Sequence, residues 1–564
     1  MTSIFIQTTE HAEQPKGAPF QIEQMPFGGD LTLDQIGFEE DKVFNWPMVY
    51  ILANSTSAYV GQTTSIVTRM KQHGANEEKQ DFTKVNIIYN PEFNASVITD
   101  YEHRLIGYMH ADGRYRLTNK NDGMTDTNYF SKPIYTNMFN ELWEDLRALD
   151  LADHSIEQIE ESEVFKYSPF KKLTADQYIA LEQILKAVKG GFENASPMLV
   201  KGMPGTGKTI LAIYLLKCLK DTEEYKNLNI KLLEPVTSLR NTLKKALVNV
   251  EGLSKADIIS PTDLAKPEMG YVSGKKKCFD IVLIDEAHKL KRRVNLATQY
   301  GNYDKVNRTF GLPKEATQLD WLLDQVKLPI FFYDPMQAIG PSCVRRETFA
   351  EKLETVALPP IELKSQMRVK AGEEYLTYIQ QVLDGACDSA RVFEGYDFVL
   401  HDNLAEFVES FKRDREQHDL SRMVAGYAWK WVSKGDGSAY DIELDGTKLR
   451  WNCTYDDWVG KGVDNPEIAN EVGCIHSIQG YDLSYSYVIV GPDLVLDGSG
   501  KPAANRKSYF DRNGYATTSD EELDRFIKNI YYVLLTRGIL GTHVYVADSK
   551  LREYFAKYLP RRAS

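Results

Sequence analysis

Residues 198–209 read Met198-Leu199-Val200-Lys201-Gly202-Met203-Pro204-Gly205-Thr206-Gly207-Lys208-Thr209, an apolar run that breaks into a glycine-rich loop before an apolar-periodic stretch, Ile210 to Leu219. That order is strand, loop, helix, and GMPGTGKT at 202–209 fits the phosphate-loop pattern. Glycine lets successive backbone N–H groups curl around an anion with no Cβ in the way, and the new helix turns its positive end toward that anion. Gly202, Pro204, Gly205, Thr206 and Gly207 are therefore the expected cradle. Lys208 is expected to reach the β- and γ-phosphates of ATP, and the Thr209 hydroxyl to hold Mg²⁺. A chance glycine-rich turn would not carry both flanking elements.

Downstream, Ile281 to Ile284 is wholly apolar and runs into Asp285-Glu286-Ala287-His288. Such a run reads as a buried parallel strand, and acids at its carboxyl end sit where open α/β sheets place their ligands. Asp285 is expected to bind Mg²⁺ and Glu286 to orient and deprotonate the attacking water. Together with the phosphate loop, this pair points to ATP hydrolysis.

The bulk numbers fit such an assembly. At 564 residues, a prior of about 150 residues per domain gives three or four domains. A net charge of −13 means that any nucleic-acid site is a local groove rather than a global basic field. The six cysteines are scattered without metal spacing and read as reduced thiols of a cytoplasmic protein. The polar N-terminus lacks a signal-peptide pattern, and no apolar run approaches the length of a membrane span, so no membrane is expected.

The later motifs resemble those of superfamily-one helicases. In that class a Gln ahead of the phosphate loop reads the adenine edge, and Gln177 stands there. The resemblance makes Gln337, in Asp334-Pro335-Met336-Gln337, a sensor of the γ-phosphate. It makes Arg368, in LKSQMR at 363–368, and Arg537, in YYVLLTRG at 531–538, arginine fingers. HSIQGYD at 476–482 resembles the segment joining the ATP site to the strand groove, with Gly480 at the nucleotide. The wording is closest to the helicase-like domain of long Schlafen proteins. Val424 to Trp431 reads as a buried strand, so Trp429 and Trp431 are expected to pack in a core rather than stack on bases. Basic runs at 275–277 and 289–293 are either phosphate contacts or solvated loop charge.

Ahead of the motor, Met48 to Ala53 and Ala58 to Gly61 read as a hairpin closed by a polar turn. A helix follows with Arg69 and His73 one turn apart. Val85 to Tyr89 is a strand, and Val97 to His110 a helix carrying Glu102. This constellation, with Tyr50, Tyr59-Val60-Gly61 and a late Asn119, resembles the GIY-YIG endonucleases, with Met48 in place of the first glycine. The resemblance implies that Glu102 binds Mg²⁺ or Mn²⁺, Arg69 neutralises the scissile phosphate, and Tyr50 is general base or water-orienting group. Tyr59 and His73 would then help move the proton, and Asn119 would hold the site or the DNA backbone.

The expected fold class is α/β, a small GIY-YIG nuclease domain followed by two RecA-like lobes with doubly wound parallel sheets. The expected divisions are a loosely ordered lead-in over 1–45, the nuclease over 46–150, a linker over 151–172 whose acidic stretch 153–163 is a linker or a surface helix, and lobes over 173–345 and 346–564. The expected activity is an ATP-dependent DNA translocase or helicase coupled to a metal-dependent endonuclease. Single-stranded or forked DNA is the expected partner, with RNA, a second copy and a partner protein left open. Fusion of such a nuclease to such a motor resembles prokaryotic genome-defence proteins. The alternatives are an ATP-gated nuclease switch, an RNA-directed enzyme, and a binding scaffold with an inactive nuclease.

Overall fold

The computed structural model describes residues 20–28, 45–119, 129–191, 195–248, 250–354, 359–418, 420–452, 458–461, 466–478, 481–511 and 518–561. The chain divides into two units, 1–172 with 245–254, and 173–244 with 255–564.

The first unit is built on a sheet of order β1-β4-β2-β3-β5. Its strands are β1 (Gln21–Pro26), β2 (Met48–Ala53), β3 (Ser57–Thr63), β4 (Lys84–Tyr89) and β5 (Arg116–Leu117). β2 and β3 form the expected hairpin, with Tyr50 opposite Gly61. The turn is set by Asn54, whose side-chain oxygen accepts the Thr56 and Ser57 N–H groups at 2.9 and 2.7 Å. Met48, Tyr50 and Leu52 alternate onto one face of β2 and pack with Ile66, Val67 and Met70 of the helix Ile66–Gly74. A longer helix, Ala95–Asp112, starts at Asn94, which accepts the Ser96 and Val97 N–H groups.

The lead-in, expected to be loosely ordered, supplies a paired strand: β1 pairs antiparallel with β4 from Gln21↔Tyr89 to Pro26↔Lys84. Its polar, half-exposed sequence gives no hydrophobic alternation, and its place is an edge, where Pro is tolerated. For the acidic stretch near 153–163 the structure takes the surface helix of the two expected alternatives, not the linker. Ser155 closes a capping box on the helix Ile156–Glu161, whose Ile156 and Ile159 are buried. The buried Asp112 carboxylate accepts the Asp153 and His154 N–H groups at 3.0 and 2.7 Å, which ties the stretch to the first unit.

The second unit holds a six-stranded sheet of order β11-β6-β10-β9-β7-β8. Its strands are β6 (Met198–Gly202), β7 (Ile230–Leu233), β8 (Ile258–Ile259), β9 (Phe279–Ile284), β10 (Val326–Tyr333) and β11 (Ile361–Leu363). Every neighbouring pair is parallel. All carboxyl ends therefore point to one edge, which gathers the phosphate loop, Asp285-Glu286, Asp334–Gln337 and the segment Lys364–Arg368. The sheet expected to close by residue 345 takes β11 as well, with Ile361 beside Val200. A three-residue strand is too short to announce itself by periodicity.

A second parallel sheet orders β12 (Asp397–His401), the strand Gly538–Val546, the strand Leu483–Val490 and β13 (Arg422–Ala425). The α/β class with parallel sheets thus stands. The strand expected over 424–431 ends at Ala425, and the half-buried Trp429 and Trp431 pack against the core around Tyr487. Among the described residues no helix is long and apolar enough to cross a membrane.

Candidate functional site

The phosphate loop turns through two left-handed residues, Gly205 (φ +83°) and Gly207 (φ +72°), which a residue with a Cβ rarely adopts. Lys208, buried at the start of the helix Lys208–Asp221, donates to the Gly202 and Met203 carbonyls at 2.8 and 3.0 Å. Its Nζ lies 3.6 Å from Asp334 Oδ2. Asp334 Oδ2 also accepts Gln337 Nε2 at 2.8 Å, and Lys289 donates to the Gln337 carbonyl at 2.9 Å. Lys289 is pushed below the usual lysine range by burial, against the pull of Glu286, with the nearby Arg537 adding to the depression.

At the end of β9, Glu286 sits in the left-handed region (φ +46°), a conformation with a cost for any residue but glycine. Burial drives the Asp285 carboxyl up and the neighbouring Glu286 charge drives it further. For Glu286 burial works the same way, but His288 at 2.9 Å, then Lys289 and Lys208, outweigh it and hold the carboxyl below its usual range. The two acids are thus driven apart in proton affinity, one suited to stay ionised. Neither Asp285 oxygen has a hydrogen-bond partner of good geometry, although the Thr209 hydroxyl lies beside it. A buried carboxylate with orphaned oxygens next to a hydroxyl fits a Mg²⁺ ion.

The segment Lys364–Arg368 lies as a strap on the loop. Gln366 Nε2 donates to the Pro204 carbonyl at 2.6 Å, and the Met367 N–H to the Gly205 carbonyl at 2.9 Å. Arg368 pairs with Asp482, and its terminal nitrogen Nη1 is buried without a hydrogen-bond partner. Arg537 is buried and donates to the Tyr481 carbonyl at 3.3 Å. Lys208, Asp285, Gln337 and Arg368 therefore gather around one loop, and Arg537 lies near Lys289. Gln177 is also there, but engaged: its Oε1 accepts the Thr174 N–H at 3.0 Å and its Nε2 donates to the Thr206 carbonyl at 2.9 Å. Gly480 lies outside the described residues.

Sequence reading missed Glu234, at the end of β7. It is fully buried, with its carboxyl driven well above the usual range by burial and then by Asp285 and Glu286. It also missed Asp176, which accepts the Lys364 and Ser365 N–H groups. A Glu-Pro after a strand marks the first; nothing local marks the second.

The first unit has a cavity of about 340 Å³ lined by Tyr59, Arg69, His73, Lys79, Glu102 and Asn119 among others. Tyr50, fully buried, stands behind that lining against His73 and Arg69. Its hydroxyl is 2.7 Å from His73 Nε2 and accepts Arg69 Nε at 3.1 Å. Burial pushes the Tyr50 hydroxyl up, against the Arg69 contact, so it keeps its proton. Burial, then Arg69 and Lys79, push His73 down to about 4, leaving it neutral and able to accept that proton. The Lys79 ammonium sits 3.5 Å over the Tyr59 ring. A Cβ on Gly61 would stand 2.3 Å from the Tyr50 oxygen, so only glycine lets that hydroxyl reach His73. Asn119 accepts the Val60 N–H at 3.0 Å and donates to its carbonyl at 2.7 Å, holding β3 in place. Among the described residues no cluster of three metal-ligating side chains occurs. The cavity offers the Glu102 carboxylate, a hard donor that fits a Mg²⁺ or Mn²⁺ ion keeping most of its waters.

The basic runs find acceptors within the unit, although Lys275, Lys276 and Lys277 stay exposed. Lys277 donates to the Leu323 and Val326 carbonyls, Lys276 pairs with Asp324, Arg292 donates to the Pro341 carbonyl, and Arg293 pairs with Asp304.

A family model described as Schlafen group 3, DNA/RNA helicase domain, matches residues 196–548. An uncharacterized protein of Saccharomyces cerevisiae is 24% identical over 426 residues, which cover 68% of this chain and 90% of that protein. Among solved structures, one on DNA unwinding at forked duplex DNA by two coordinating Pif1 helicases is 13% identical over 68% of this chain and 94% of its own, with a TM-score of 0.28. The S. cerevisiae Dbp5 structure with RNA and ADP BeF3 is 14% identical over 71% and 93%, with a TM-score of 0.33.

Proposed function

The chain belongs to the Schlafen group 3 DNA/RNA helicase family, and from that premise we propose that its second unit is an ATP-driven nucleic-acid motor and its first a metal-dependent endonuclease. The observation that supports the motor best is the gathering of Lys208, Asp285, Glu286, Gln337 and Arg368 at the carboxyl edge of one parallel sheet. Loop N–H groups and Lys208 would bind the β- and γ-phosphates. Glu286, ionised beside His288, would take the proton of the attacking water. Gln337 is tied to Lys208 through Asp334, so loss of the γ-phosphate would be felt at the 334–337 segment. Arg368 and Arg537 would stabilise charge on the transferred group, Arg368 leaving Asp482 to do so. Asp285 and Thr209 would hold Mg²⁺, which would supply charge neutralisation at the phosphates. Gln177 would meet the adenine only by releasing one of its present bonds.

For the nuclease, Tyr50 would orient the water and pass its own proton to neutral His73 as it accepts one. Arg69, on the Tyr50 oxygen, would steady the transient phenolate and the phosphoryl oxygens. Glu102 would hold a divalent metal, which would supply positive charge to the water and the leaving oxygen. The setting would be DNA processing or defence against foreign DNA. ATP turnover and cleavage, measured together on single-stranded, duplex and forked DNA and on RNA, test the proposal. Strand-stimulated turnover with Mg²⁺-dependent cleavage that Glu102→Ala abolishes supports it. Turnover indifferent to nucleic acid favours the ATP-gated switch, and cleavage equal in wild type and Glu102→Ala removes the nuclease.

A further inference from the structure

The helix Ala175–Lys189 begins with two adjacent side chains that hold two different parts of the ATP cleft. Gln177 holds the phosphate loop at Thr206. Asp176 holds the strap: one carboxylate oxygen accepts the N–H groups of Lys364 at 2.7 Å and Ser365 at 2.8 Å, while the other takes the Thr174 hydroxyl at 2.5 Å. These bonds outweigh burial and bring the carboxyl down to about 2, so they are charge-assisted at neutral pH.

From the anchored amides the strap continues without slack. Gln366 bridges the Pro204 carbonyl and the Arg368 N–H, at 2.6 and 2.7 Å. A Cβ built on Gly205 would lie 2.7 Å from the Arg368 Cβ and 2.1 Å from Gln366 Oε1, so the strap rests directly on the loop. Where Arg368 stands is thus set by the anchor at its amino end and by the Gln366 bridge.

We propose that Asp176 is a positioning residue for Arg368, fixing through the strap how far the guanidinium stands from the γ-phosphate end of the loop. The proposal rests on reading the loop as an ATP site. Asp176 itself touches no nucleotide in this scheme. Removing it frees the strap and withdraws Arg368, while the loop and Lys208 still bind the diphosphate. The helix start then acts as a brace that keeps the loop and the arginine in one register.

The test compares full-length wild type, Asp176→Ala and Asp176→Asn, the last keeping an acceptor oxygen. Amide hydrogen exchange at residues 364–365, the kcat and KM of ATP turnover, and affinities for ADP and a non-hydrolysable ATP analogue are measured. In Asp176→Ala the two amides exchange faster, kcat falls by about tenfold to a hundredfold with KM little changed, and preference for the ATP analogue over ADP shrinks. Asp176→Asn recovers part of each. Unchanged exchange overturns the anchor. Faster exchange with full kcat overturns the link to Arg368. Equal loss of both nucleotides overturns the positioning role in favour of a structural one. A wild type that binds neither nucleotide overturns the ATP reading and the proposal with it, and normal exchange behaviour would mark the reading as the point of failure.

Discussion

The cleft of the second unit and the cavity of the first both have the makings of phosphate sites, and they are built by opposite means. In the cleft, parallel strands deliver their carboxyl ends to one edge, so residues far apart in sequence, Lys208, Asp285 and Asp334, meet because strand direction is shared. Its charged side chains lean on one another, Lys208 on Asp334 and Arg368 on Asp482, while Glu286 lies 2.9 Å from the buried His288 imidazole. In the cavity an antiparallel hairpin and two helices bring together aromatic hydroxyl, imidazole and guanidinium, and burial sets their protonation. A site run by mutual charge should fail through loss of an ion, and one run by burial through loss of shape.

The largest effect expected from this contrast is at Glu286. Glu286→Gln should lower ATP turnover by about a hundredfold to a thousandfold while leaving nucleotide binding in place. A filter-binding assay beside a phosphate-release assay separates the two, and parallel loss of binding would show that the charge holds the fold of the cleft instead.

Gly61→Ala is the matching change of shape. Its Cβ would meet the Tyr50 oxygen at 2.3 Å, so the ring must leave His73. Cleavage should fall by about a hundredfold, with destabilisation of about 1–3 kcal/mol and ATP turnover untouched. Full cleavage by this variant would remove the Tyr50–His73 contact from the reaction.

Acid separates the regions further. His110, sealed in the first unit, is held near 4 by burial, whereas an unfolded chain takes up that proton near pH 6.5. Its contribution to stability is therefore full above pH 6.5 and is lost as pH falls toward 4, on the order of 3 kcal/mol. His73 and His103 act in the same direction. Urea titrations at pH 7 and pH 5 check this: the midpoint should drop at the lower pH and drop less in His110→Gln.

The smallest effect belongs to Asp482→Asn. A half-exposed ion pair is worth at most about 1 kcal/mol, so freeing Arg368 should change ATP turnover without nucleic acid by about fivefold or less, upward. A fall would mean that Asp482 orients the arginine rather than restrains it.

How much of the molecule was legible in the sequence divides along similar lines. Wherever one segment carries both element and chemistry, reading succeeded: GMPGTGKT between strand and helix, the apolar run into Asp285-Glu286, and the strand Met48–Ala53 to the residue. Where structure depends on a distant partner, reading failed. β1 is a strand because β4 offers an edge, and β11 because β6 does. The acidic stretch folds because Asp112 is there to receive its amides. For the basic runs at 275–277 and 289–293 the sequence left phosphate contact and solvated charge both open, and it could not show their acceptors, such as the Leu323 and Pro341 carbonyls. Gln177 and Asp176 show the limit at the site itself. Residue type and position named the first, but what each holds is decided some 30 and 190 residues away.

The most direct test is the rate of phosphate release from ATP by wild type and Lys208→Ala, each with and without single-stranded DNA or RNA. Turnover by the wild type that rises with the strand and disappears in Lys208→Ala is the predicted result. Turnover that survives the loss of Lys208 would contradict the assignment of the loop, and with it the motor.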